Sequence, residues 1–378
     1  MIRLRGMTWK HDRGLAPMVA TAKKFSETHP EVTIEWEARS LSEFGEAPVE
    51  HLAEQYDLVV LDHPYVGALA RTRCFLALDD FLSPEQLQTF ASDSTGPSWP
   101  SYTMNGQWAL AIDAAAQVTG YRADLLEKAG VALPVTWEDV FAVARIRRGF
   151  VSMPLFPLDA FLAFCSICAN AGDPAFAEPG QVVSRKTGEY ALSLLRRLRD
   201  VALPEAPAMN PIATWERMST SDDIAYCPLA FGYSNYARTG YRKQRLSFGA
   251  IPSAGRGSVG ATLGGAGLAV SAHCRDRDMA LEYAFRVASP ECQRTLYVES
   301  GGQPGSRAAW TDKAANTLTG GYFRSTLPVL EQAWLRPRYE GFEAYQNRGA
   351  DFIATFLTGA ITARETLDEL ERALPRQG

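Results

Sequence analysis

Apolar and polar positions along the first third of the chain switch between two periods. In 2-IRLRGMTW-9, Ile2 and Leu4 alternate with arginines, which predicts a strand. A helix is expected over 15–28, with Val19 and Phe25 on its apolar side and His29-Pro30 stopping it. Alternation resumes at 32–37, a second helix is expected over 42–55, and 56-YDLVVLD-62 holds a continuous apolar run suited to a strand covered on both faces. This strand–helix order predicts a parallel sheet with right-handed crossovers. In such open sheets ligands bind beyond the carboxyl ends of the strands. The residues that follow the three strands are therefore the first candidates: Trp9, Lys10, His11, Asp12 and Arg13, then Arg39 and Ser40, then Asp62, His63 and Pro64.

Further along, short strands are expected at 108–112 and 118–121, and a helix opens at Thr136, with Asp139 completing a capping box. Helices follow near 157–171 and 186–200. The segment 223-DIAYCPLAFGYSNYAR-238 reads as a strand running into an aromatic loop. Strands near 246–251 and 267–272, helices over 277–288 and 290–299, and a mostly helical end complete the pattern. Gly264 and Gly265 are expected at the mouth of the 267–272 strand. Glycine there signals a positive φ, or the close approach of another group to the backbone.

Composition narrows the classes. The 378 residues suffice for two domains of ordinary size; 46% are apolar and 21% charged, as in globular proteins. A net charge of −5 argues against nucleic acid as a partner. No apolar run reaches the roughly 18 residues of a membrane span. The start 1-MIRLRGMTW-9 has no signal-peptide pattern, so the alternatives are a trimmed or mature form and a cytoplasmic protein. Cys165 and Cys168 form a C-x-x-C within an apolar, helix-like segment, without the second pair a zinc site needs, and are read as core. No catalytic motif of the common hydrolase, metalloprotease or nucleotide-binding kinds is present. No metal or cofactor is expected.

Taken in order, four segments resemble the family of extracellular solute-binding proteins of bacterial ABC importers. They are 57-DLVVLDHPYVGALARTRCFLALDDFL-82, 121-YRADLLEKAGVALPVTWEDV-140, 264-GGAGLAVSAHCRDRDMALEYAFRVASPECQ-293 and 300-SGGQPGSR-307. The resemblance implies an α/β, two-lobed fold of the periplasmic-binding-protein type II kind. Each lobe would be a mixed, mostly parallel sheet flanked by helices, with a ligand cleft between them. The lobes would comprise 1–110 with 262–308, and 111–261 with 309–378. The implied function is capture of a small polar ligand (a carbohydrate, polyol or small organic acid) by lobe closure. The implied partners are the ligand and ABC permease subunits; the chain would act as a monomer outside the cytoplasm.

On that reading the expected ligand-binding residues are Trp9, His11, Asp12, Arg39, Asp62, His63 and Asp113 in the first lobe. Phe231, Gly232 and Tyr233 belong to the aromatic loop, beside Asn235 and Tyr236, and Gly264, Gly265 and Arg307 complete the set. Tryptophan and tyrosine stack on sugar rings, carboxylates accept from hydroxyls, and arginines pair with anions. Two of Arg13, Arg39 and Arg307 at the site would favour an anionic ligand. The other readings are a core role for Trp9, a helix-capping role for Asp62 and edge packing for the aromatic loop. Trp137 is expected to pack its own helix, and the charge runs at 145–148 and 196–200 to be solvated. An enzymatic alternative on the same fold would use Cys227, or His11 with His63.

Overall fold

The computed structural model describes residues 1–40, 48–178, 180–257 and 259–375. The chain forms two compact units. Unit 1 is Met1–Ala115, Gly264–Thr319 and Arg338–Glu340; unit 2 is Ala116–Leu263, Gly320–Pro337 and Gly341–Gly378. The strands are β1 (Ile2–Trp9), β2 (Val32–Arg39), β3 (Leu58–Leu61), β4 (Leu110–Tyr121), β5 (Tyr226–Phe231), β6 (Ser247–Gly249) and β7 (Leu263–Val270). The mixed α/β architecture agrees with the expected fold class.

In unit 1 the sheet order is β2-β1-β3-β7-β4. β1 pairs in parallel with β2 and with β3, and β7 runs antiparallel to β3. Helices cover both faces, which is why β3 is apolar without alternation. Leu4, Val60, Leu268 and Val270 belong to one buried cluster, whereas Met7, Val59, Leu61 and Ala269 belong to another. The first helix buries Met18, Ala22 and Phe25, an i, i+4, i+7 stripe. Val19, expected on that face, is 50% exposed.

That helix runs Asp12–Thr28 and begins three residues before the expected start. His11, Asp12 and Arg13 therefore form its cap and first turn rather than a loop. The helix expected over 42–55 is seen as Val49–Gln55; residues 41–47 lie outside the described residues. The two short strands expected at 108–112 and 118–121 are one twelve-residue strand, β4. The small residues Ala114, Ala115 and Ala116 between them contain nothing that breaks a strand. β7 likewise opens at Leu263, so Gly264 and Gly265 lie inside it and not at its mouth.

In unit 2 the second half of β4 pairs antiparallel with β5 and β6. The helix Pro157–Asn170 is buried on every side from Asp159 onward. Buried on all its faces, it packs under the helix Phe342–Thr358, where the Phe161 and Tyr345 rings meet edge to face at 6.4 Å. Cys165 and Cys168 sit in this core, as expected, and all six cysteines are free thiols. Trp137 is also buried, and Thr136 with Asp139 forms the capping box at the start of its helix.

Candidate functional site

In unit 1 the carboxyl ends of the parallel strands carry a compact group of side chains. Trp9 ends β1 opposite Arg39 at the end of β2, and the register Met7↔Val59 brings β3 to the same level. Trp9 is buried, its indole against Gly14 of the first helix, where a Cβ would overlap the ring. The core reading of Trp9 and its place at the strand end are thus both true. His11 caps the helix, its Nδ1 accepting from the Arg13 N–H at 2.9 Å. That contact places the proton of the neutral ring on Nε2. Asp12 is exposed in the first turn, where its charge complements the helix dipole.

Arg13 turns inward. Its Nε donates to Asp113 Oδ2 at 2.8 Å and its Nη2 to Asp113 Oδ1, and both residues are almost wholly buried. The guanidinium also lies 6.0 Å from the Trp9 ring. Burial pushes the Asp113 carboxyl up; Arg13 opposes that, and the nearby Asp62 charge adds to it, for a net upward displacement. The backbone of Asp113 is equally enclosed. Pro304 bridges to it, and Gly265, at φ +108°, lies so close that a Cβ would strike the Asp113 carbonyl. The glycine signal was therefore real, and the approaching group is the chain itself.

Asp62 follows β3 and caps the single turn His63–Tyr65, accepting from the His63 N–H at 2.8 Å. The same oxygen lies 3.1 Å from His63 Nδ1. His63 is fully buried, edge-on to Tyr102 at 6.3 Å, and the Tyr102 hydroxyl donates to the Leu61 carbonyl. The sequence reading missed Tyr102, which has no local motif; its ring packs on Gly267 of β7. Arg39 lies apart from this group in its bonding. Its Nη2 donates to Gln55 and to the Tyr56 hydroxyl. Arg307 is exposed at the start of a short helix, its backbone N–H donating to the Asp93 carbonyl.

Unit 2 presents the aromatic loop after β5. Phe231 is half-buried, and its carbonyl accepts from Trp215 Nε1 at 2.9 Å. Gly232 is required by space, since a Cβ would overlap the Tyr322 hydroxyl. Tyr233 and Tyr236 meet edge to face at 6.4 Å, and the Tyr236 hydroxyl donates to Glu216 at 2.8 Å. Arg242 grips the same carboxylate with three contacts of 2.6–2.9 Å and stacks over Tyr241 at 4.2 Å. Glu216 and Arg242 were not foreseen, because they are 26 residues apart and neither lies in a motif. Cys227 is fully buried in β5, and burial pushes its thiol far up, the direction opposite to that of a nucleophilic thiolate.

Among the described residues no cluster of three or more His, Cys, Asp or Glu could hold a metal ion. No described helix is long and apolar enough to cross a membrane.

A bacterial extracellular solute-binding protein family model matches residues 20–316. The chain belongs to that family of solute-binding proteins. Similar solved structures include maltose-bound T. maritima MalE3, at 17% identity and TM-score 0.85, with 98% of each chain covered. The GacH receptor of Streptomyces glaucescens, studied unliganded and with acarbose, is 18% identical with TM-score 0.81, covering 98% of this chain and 97% of that one. A mannitol-bound ABC transporter solute-binding protein from Agrobacterium vitis is 16% identical with TM-score 0.79, over 98% and 97%. At these identities the likeness shows the fold. No curated protein matches the sequence.

Proposed function

We propose that this solute-binding protein captures a small polyhydroxy ligand, a sugar or polyol, and delivers it to the permease of an ABC importer. The observation that carries the reading is the group at the strand ends of unit 1. Asp62, just past β3, stands there with the Trp9 indole, and Asp113, inside β4, reaches the same group through Arg13. Carboxylates accept from hydroxyls, and an indole covers the apolar face of a sugar or carbon chain. The solved relatives, bound to maltose, acarbose and mannitol, support the same class. We place the protein outside the cytoplasm, acting as a single copy.

Isothermal titration against maltose, D-mannitol, ribitol and related sugars tests this. Saturable binding of at least one compound is expected, weakened about tenfold or more, roughly 1.4 kcal/mol, by Asp62→Asn. A folded protein that gives no binding heat across the panel overturns the proposal.

A further inference from the structure

Lys10 and Arg13 follow strand β1, and Arg39 ends β2. By sequence alone, two of Arg13, Arg39 and Arg307 at the site would favour an anion. The bonding of Arg13 points elsewhere. Its guanidinium gives one N–H to each oxygen of Asp113, and 3% of Arg13 and 1% of Asp113 is exposed. An arginine committed in this two-pronged way has its best anion-binding geometry already used. A carboxylate accepts at about four lone-pair positions, and Arg13 occupies one on each oxygen. Asp113 thus keeps acceptor capacity while Arg13 fixes its plane. Arg39 is diverted too, donating to Gln55 and to the Tyr56 hydroxyl and lying 5.4 Å from the Tyr56 ring. Lys10 is exposed, where solvent and salt screen it.

We infer that Arg13 is a positioning residue that holds Asp113 as an oriented acceptor, and that this pair makes the protein select uncharged polyhydroxy solutes over their carboxylate counterparts. The inference rests on the sugar or polyol reading above and adds charge selection to it. An uncharged ligand brings hydroxyl donors to Asp113. An aldonate brings a second negative charge to a place whose buried cation is already taken, and like charges brought together there are costly.

The test titrates matched pairs: D-mannitol with D-mannonate, ribitol with ribonate, maltose with maltobionate. For the wild-type protein the neutral member of a binding pair is expected to bind about 30-fold more tightly or better. Asp113→Asn leaves Arg13 uncompensated and should lower that ratio about tenfold or reverse it. The double variant Arg13→Gln/Asp113→Asn removes both charges and keeps the shapes, so it serves if the single variant does not fold. There the ratio should fall as well, whereas a purely structural role would weaken both members equally. An unchanged ratio in the folded variants overturns the inference. So does a wild-type preference for the anionic member, which leaves solute capture standing. If no member of any pair binds, the sugar or polyol reading fails and this inference fails with it.

Discussion

The strand-end group of unit 1 and the aromatic loop of unit 2 are built from opposite materials. In unit 1 a buried ion pair, Arg13–Asp113, is held by the interior of strand β4 and the first turn of a helix. In unit 2 the Tyr233 and Tyr236 rings are buried against each other, and the ion pair Glu216–Arg242, about one-third exposed, holds the Tyr236 hydroxyl as a brace. The first arrangement fixes the direction of hydrogen bonds. The second fixes the position of apolar faces. The difference teaches that charge is kept where the backbone is rigid, and aromatic area where a loop must be shaped.

The largest expected effect contrasts Asp113, which has a cation, with Asp159, a carboxyl in the core of unit 2 that burial pushes up to about 8. The native state then holds that proton more tightly than the unfolded chain does. The stability this confers is complete below the ordinary aspartate range near 4 and is lost as pH rises toward 8. A displacement of that size corresponds to on the order of 5 kcal/mol. Thermal unfolding at pH 5 and pH 8 should show the loss, and Asp159→Asn should flatten it. A pH-independent Tm in the wild type would remove the contrast.

Next in size, Arg13→Ala leaves the Asp113 carboxylate buried without its partner. Denaturant unfolding should report a loss of about 4 kcal/mol. Glu216→Gln, by contrast, weakens a partly exposed pair and one tyrosine contact. About 1 kcal/mol is expected. A Glu216→Gln effect as large as that of Arg13→Ala would break the distinction between core pair and brace. The smallest effect belongs to Arg39→Ala, with about 0.5 kcal/mol in stability. Its affinity for the uncharged ligand should stay within about twofold, under 0.5 kcal/mol.

Much of the fold could be read from the chain. The apolar run at 58–61, the proline after His29 and the capping box at Thr136 are local signals with local causes. Boundaries failed where no local residue decides them. Nothing between Ile112 and Val118 says that β4 continues, because alanine is silent between strand and loop. The site was half legible. Fold rules put Trp9 and Asp62 at strand ends; Asp113, expected just past a strand, lies inside β4, and its pair with Arg13 joins residues 100 apart, which no spacing rule reaches. Arg39 shows the converse: a charge at the right strand end, drawn away by Tyr56 on the neighbouring helix boundary.

The thiols carry one last consequence. Five of the six, Cys74, Cys165, Cys168, Cys227 and Cys274, are buried, and none forms a disulfide. Two lie in unit 1 and three in unit 2. A sulfhydryl reagent reaches each only when the surrounding structure opens, so modification rates, resolved by peptide, become a set of built-in clocks for local unfolding in each half of the chain.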